Sequence, residues 1–152
     1  MSLREGAAAI VIDTDGRFLM QLRDDKPGIV DPGKVSLFGG RREGNETFRD
    51  CIAREIHEEL GCRLPAESFQ HLARCVGSNH PITGGNFHAE IFIVRSICSE
   101  ELTITEGQLK TFTLAELCQI RESLAPLAQF AVDAFLSEAK STNMTVPELP
   151  GP

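Results

Sequence analysis

Residues 47–60, TFRDCIAREIHEEL, narrow what this 152-residue chain can fold into more than any other stretch. On a helix at about 100° per residue, Phe48, Ile52, Ala53, Ile56 and Leu60 fall on one apolar stripe. Thr47 stands at the start, and Gly61 can take the left-handed conformation that ends a helix. A helix of this length is stable only when its apolar stripe is covered. The strand-like runs on either side of it in the sequence are the natural cover.

Those runs are residues 7–12 (AAAIVI), 18–22 (FLMQL), 35–38 (VSLF), 69–76 and 89–94, with 109–114 as a further candidate. Asp13-Thr14-Asp15-Gly16 joins the first two as a turn. Two Pro-Gly pairs, at 27–28 and 32–33, mark a loop before 35–38, and Gly84-Gly85-Asn86 marks a turn before 89–94. Residues 114–120 and 127–139 read as helices. Strands and helices alternate without a regular βαβ rhythm, which points to an α/β fold with a mixed sheet and helices packed on it. We expect a single domain over residues 1–140. The tail, 141–152, holds three prolines and little apolar content, so disorder is expected there.

The net charge of −7 argues against a long nucleic-acid groove. It leaves room for a small phosphorylated substrate, because a divalent cation can supply positive charge locally. No apolar run of about 18 residues is present, so no membrane span is expected, and no signal peptide is visible; a cytoplasmic protein is the expectation. The five cysteines, at 51, 62, 75, 98 and 118, include no CxxC pair and read as reduced, mostly buried thiols. The histidines at 57, 71, 80 and 88 show no metal-ligand spacing.

The helix over 47–60 carries a second stripe. Glu55, Glu58 and Glu59 share one sector because they are spaced i, i+3, i+4. Like charges at these spacings repel by a few tenths of a kcal/mol per pair, and the last helical turn disfavours negative charge. A solvated glutamate-rich face is one reading. A divalent cation is the other, since hard cations want several carboxylate oxygens at one point.

The wider pattern favours the second reading. Gly40, five residues, Glu46, seven residues, Arg54-Glu55-Ile56, one residue, Glu58-Glu59, one residue and Gly61 resemble the Nudix box. Cys62 replaces the usual aliphatic residue, a mild departure. The resemblance implies an α/β/α sandwich with the box as loop–helix–loop. It also implies a Mg²⁺- or Mn²⁺-dependent pyrophosphohydrolase acting on a nucleoside diphosphate linked to another group. By the match, Glu55, Glu58, Glu59 and the Gly40 carbonyl would hold the metal. Arg54 and Glu46 would support those ligands from behind. Glu58 or Glu55 would activate water, or Glu106, because Thr105-Glu106-Gly107-Gln108 resembles the Glu-Gly-Gln loop of MutT-like members; a solvated loop glutamate is the alternative there. Glu90 is a weaker rival, expected to point outward into solvent.

Gly39 and Gly40 would let the backbone approach the phosphates. Arg23 is expected to face them too, with Arg41 and Arg42 as further basic residues in the box loop. The chain has no Trp or Tyr, so base stacking would fall to Phe38, Phe87 or an arginine. Signatures resembling ADP-ribose and dinucleoside-polyphosphate hydrolases are missing, which leaves nucleoside triphosphates and nucleotide sugars in front. A catalytically silent nucleotide-sensing module is the alternative, although such modules usually lose box acids. A homodimer is compatible with the resemblance.

Overall fold

The computed structural model describes residues 3–29, 31–78 and 85–141. Within them the order is β1 (Arg4–Asp13), β2 (Phe18–Leu22), β3 (Val35–Ser36), β4 (Phe38–Arg41), α1 (Phe48–Leu60), β5 (Gln70–Gly77), β6 (Phe87–Ile97), β7 (Gln108–Phe112), α2 (Leu114–Gln119) and α3 (Pro126–Ser141). The expected turn before β6 begins at Gly84, and the expected disordered tail continues past 141; both Gly84 and residues 142–152 lie outside the described residues.

The sheet is mixed, with path β3-β2-β1-β6-β5, β4 paired to β1 and β7 paired to β2. β1 and β6 run parallel; the other pairs are antiparallel. β1 is central and apolar on both faces, as a strand covered twice must be. Its same edge serves two partners. Val11 and Ile12 pair with β2, while Gly6–Ala9 pair with β4.

Helices cover both faces. On one side Ile52, Ile56 and Leu60 of α1 pack on Ala7, Ala9, Val11, Phe38 and Phe92. On the other, Leu117, Ala128, Ala131 and Val132 of α2 and α3 pack on Ala8, Ile10, Ile91 and Ile93. The alternation of partners along β1 is the period-2 alternation of strand side chains. This is the α/β/α arrangement expected from the sequence.

Residues 35–38, expected as one strand, form parts of two. Val35 and Ser36 pair with β2, then the chain passes Leu37 and re-enters as β4 beside β1. A single straight strand could not serve both partners. β6 is longer than expected and α3 starts at Pro126, where a helix loses nothing by lacking an N–H. Helix α1 is capped as the sequence suggested. Thr47 Oγ1 accepts from Asp50 N at 3.0 Å, and Gly61 (φ 67°) donates its N–H to His57 O. All five cysteines are unpaired, with Cys51 buried and the others half-buried. No helix among the described residues is long and apolar enough to cross a membrane.

Candidate active site

Packing α1 beneath β4 places its acidic sector against Gly39 and Gly40. Gly39 N donates to Glu59 Oε1 at 2.8 Å. A Cβ on Gly40 would lie 2.5–2.6 Å from the Glu55 carboxylate; no other residue would fit at this position without moving Glu55. The same two glycines line a cleft of ≈ 450 Å³. The carboxylates therefore meet the cleft through bare backbone.

Arg54 organises the acids. Its Nε and Nη2 donate to the two oxygens of Glu46 at 3.0 and 2.7 Å, a bidentate pair. Nη1 donates to Glu55 at 2.8 Å and to Glu58 at 3.2 Å, and Nη2 also reaches Arg41 O. The Arg54 hydrogen bonds hold Glu46 down at about 2, despite its burial. Glu55 goes the other way, because burial raises it and outweighs Arg54. Burial pushes Glu59 up to about 8, with Glu55 and Glu106 adding repulsion; the Gly39 N–H and the Arg23 charge only partly offset this. Glu58 is the outermost of the three, with its side chain 55% exposed.

The Glu106 loop is fastened to the end of α1. Thr103 N donates to Leu60 O at 2.9 Å and Thr105 N to Glu59 O at 3.3 Å. Gln21 Nε2 donates to Glu106 O from β2. The Glu106 side chain is exposed, and its charge is felt at Glu59. Arg23 lines the cleft and donates to Gln21 Oε1 at 3.2 Å. Arg41 also lines the cleft, whereas Arg42 turns away to Glu5 at 2.6 Å.

Two expectations are overturned. Phe38 is 0% exposed and packs with Ile52 and Ile56 under α1, so its ring cannot meet a substrate. Its parity decides this: Phe38 pairs with Ala9, whose side chain is on the α1 face. Glu90 does not point outward either. It is 4% exposed and bonded to His71 Nε2 at 2.6 Å, to Arg74 Nε at 2.7 Å and to His88 Nε2. Burial acts to raise Glu90, but those three partners outweigh it and hold the carboxyl below its ordinary value. The signal was available, since Glu90 alternates in phase with Phe92 and Val94. His80 lies outside the described residues.

The cleft floor escaped the sequence reading. Gly6, Ala89 and Cys75 form one row across β1, β6 and β5, and all three line the cleft with Ala8. No large side chain rises from these positions, so the sheet is left open there. Leu37, Leu127 and Phe87 wall the space. Its size suits a small-molecule site.

Glu55, Glu58, Glu59 and the Gly40 carbonyl, expected from the sequence as metal ligands, offer only oxygen, the donor type a hard divalent cation prefers. Among the described residues no three metal-binding side chains converge closely enough to hold an ion as they stand; Arg54 engages Glu55 and Glu58, and Gly39 N–H engages Glu59.

A family model described as the NUDIX domain matches residues 2–136. A 54-residue segment is 41% identical to the nucleoside triphosphatase NudI of Escherichia fergusonii, over 36% of this chain and 38% of that one. The match thus spans well under half of that relative. The MutT protein from Methanosarcina mazei Go1 has a similar fold, with TM-score 0.74, 20% identity, and coverage of 91% of this chain and 96% of that one. A bifunctional NMN adenylyltransferase/ADP ribose pyrophosphatase from Francisella tularensis, solved with AMP and a Mn ion, aligns with TM-score 0.64 and 19% identity, over 93% of this chain and 42% of that one.

Proposed function

The chain belongs to the Nudix hydrolase family, and on that premise we propose a Mg²⁺- or Mn²⁺-dependent pyrophosphohydrolase whose substrate is a nucleoside triphosphate or a nucleotide sugar. The observation that carries this is the seating of Glu55 and Glu59 on Gly39-Gly40, the two residues that also line the cleft. The stretch similar to a nucleoside triphosphatase favours the triphosphate. The Francisella protein of similar fold was solved with AMP and a Mn ion, in keeping with a nucleotide substrate and a divalent cation.

Glu55, Glu58, Glu59 and the Gly40 carbonyl would hold the cation. When bound, it polarises the phosphoryl group and lowers the pKa of water. Arg54, clamped by Glu46, keeps Glu55 and Glu58 in register. Arg23 and Arg41 face the phosphates from the cleft wall. Water attacks one phosphorus, the bridging P–O bond breaks, and the leaving phosphate carries away the bond's electron pair. The water's proton passes to a carboxylate, for which Glu58, Glu55 and Glu106 are the candidates.

The test is product-resolved hydrolysis with Mg²⁺ of nucleoside triphosphates and nucleotide sugars, with Glu58→Gln run alongside. Turnover of one class that is lost in the variant supports the reading. Nucleotide binding without turnover at saturating metal would sink it.

A further inference from the structure

Nine phenylalanines are the chain's whole supply of large aromatic rings, since it has no Trp or Tyr. Phe18, Phe38, Phe69 and Phe92 are buried in the core. Phe112 and Phe135 pack against it. Phe48 is stacked with His88 and Arg42, and Phe130 sits on α3 outside the cleft. Among the described residues, Phe87 alone brings a phenyl ring to the cleft lining. His88 also borders the cleft, but its ring is held by Phe48 and Glu90.

The seat of Phe87 is specific. It pairs with Gly77 across β5 and β6, and a Cβ on Gly77 would lie 2.6–2.7 Å from its Cζ and Cε1. The ring therefore lies down on the strand opposite, in space that only glycine leaves. It stands one row along the same sheet face from Gly6, Ala89 and Cys75, the small residues that floor the cleft. An open floor of small residues with an aromatic at one end fits a planar heteroaromatic group. The box carboxylates and Arg23 mark the phosphate end.

We infer that Phe87, laid on Gly77, is the surface on which the substrate's base stacks, so that the base is a recognised part of the substrate. Phe87 is a specificity-determining residue, and this rests on the pyrophosphohydrolase reading above.

The experiment measures Kd in Mg²⁺ for a non-hydrolysable α,β-methylene nucleoside triphosphate and for inorganic tripolyphosphate, which has no base. It uses the full chain, Phe87→Leu, Gly77→Ala and the control Phe130→Leu. Melting temperatures report folding, and kcat and KM are taken on the hydrolysed nucleotide. Phe87→Leu keeps apolar volume but removes the π-face, and should weaken nucleotide binding by about tenfold, through KM with kcat retained. Gly77→Ala keeps the phenyl but displaces it, and should act in the same direction. For both, the loss should appear with the nucleotide and not with tripolyphosphate, and Phe130→Leu should show neither. Equal losses on both ligands, unchanged nucleotide affinity in a folded Phe87→Leu, or no nucleotide binding by the full chain would each overturn the stacking role; unchanged affinity would hand it to an arginine. Phe87-dependent binding with no turnover would instead leave stacking standing and remove the hydrolase reading.

Discussion

Glu90 and Glu59 are both carboxylates drawn out of water on the α1 side of the sheet, yet they titrate in opposite directions. Glu90 meets His71, Arg74 and His88 and is held below its ordinary value. Glu59 meets one backbone N–H, two other acids and a partial share of Arg23, and rises to about 8. Burial penalises both charges. The difference lies in whether the protein supplies the countercharge itself. At Glu90 it does, and the cluster is complete as a piece of architecture. At Glu59 it does not, and the deficit faces a cleft through two glycines. A half-buried acid that the fold leaves under-compensated is a better marker of a working site than burial or acidity alone.

Removing the cation should break the contrast most strongly. Chelation is expected to abolish hydrolysis and restored Mg²⁺ to recover it, with little change in the far-UV circular dichroism. Persisting turnover in chelator would mean the deficit at Glu59 is filled some other way. Next in size, Glu58→Gln should lower kcat/KM by more than about 100-fold, beyond what loss of a supporting partner costs, while Glu90→Gln leaves kcat near wild type. If both variants lose activity alike, the two clusters are not different in kind.

Arg54→Lys sharpens the comparison from the other side. It keeps a charge but loses the two-pronged grip on Glu46. Activity should drop by about 10- to 100-fold, with a higher Mg²⁺ concentration needed for half-saturation. An unchanged Mg²⁺ requirement would show that Arg54 does not position the ligands. For Glu90→Ala, urea denaturation should register a loss of about 1–3 kcal/mol from broken charged hydrogen bonds.

The smallest effect is in acid. Glu46, held at about 2 by Arg54, and Glu90, also lowered, are depressed in the fold. Such groups contribute stability that is present above their unfolded pKa, near 4.5, and lost as pH falls toward the folded value. Stability should therefore decline between about pH 4.5 and 2. Glu46→Gln and Glu90→Gln should each flatten that limb, and a steeper limb in either would mean that carboxyl is not depressed in the fold.

The apolar stripe of α1, its cap at Thr47 and its stop at Gly61 were legible because they depend only on neighbours in sequence. The acidic sector was legible because helical periodicity places its members together. Phe38 and Glu90 were misjudged for a shared reason. Each direction depends on strand parity within the sheet, and a one-residue error flips a side chain to the other face. The cleft floor was illegible because Gly6, Ala89 and Cys75 become a row only through pairings between distant strands. The sequence also could not say that β1 would share one edge between β2 and β4.

That pairing of β1 with β6 has a consequence in time. Arg4 lies opposite Phe87, a separation of 83 positions, and contacts so far apart in sequence form slowly because a long loop must close first. The whole box, Gly40 to Gly61, precedes β6 in the chain. Its glutamates can gather on α1 while the floor of the cleft is still missing. The acidic sector thus rests on local helix periodicity, and the cleft floor on pairing between distant strands that comes late in folding.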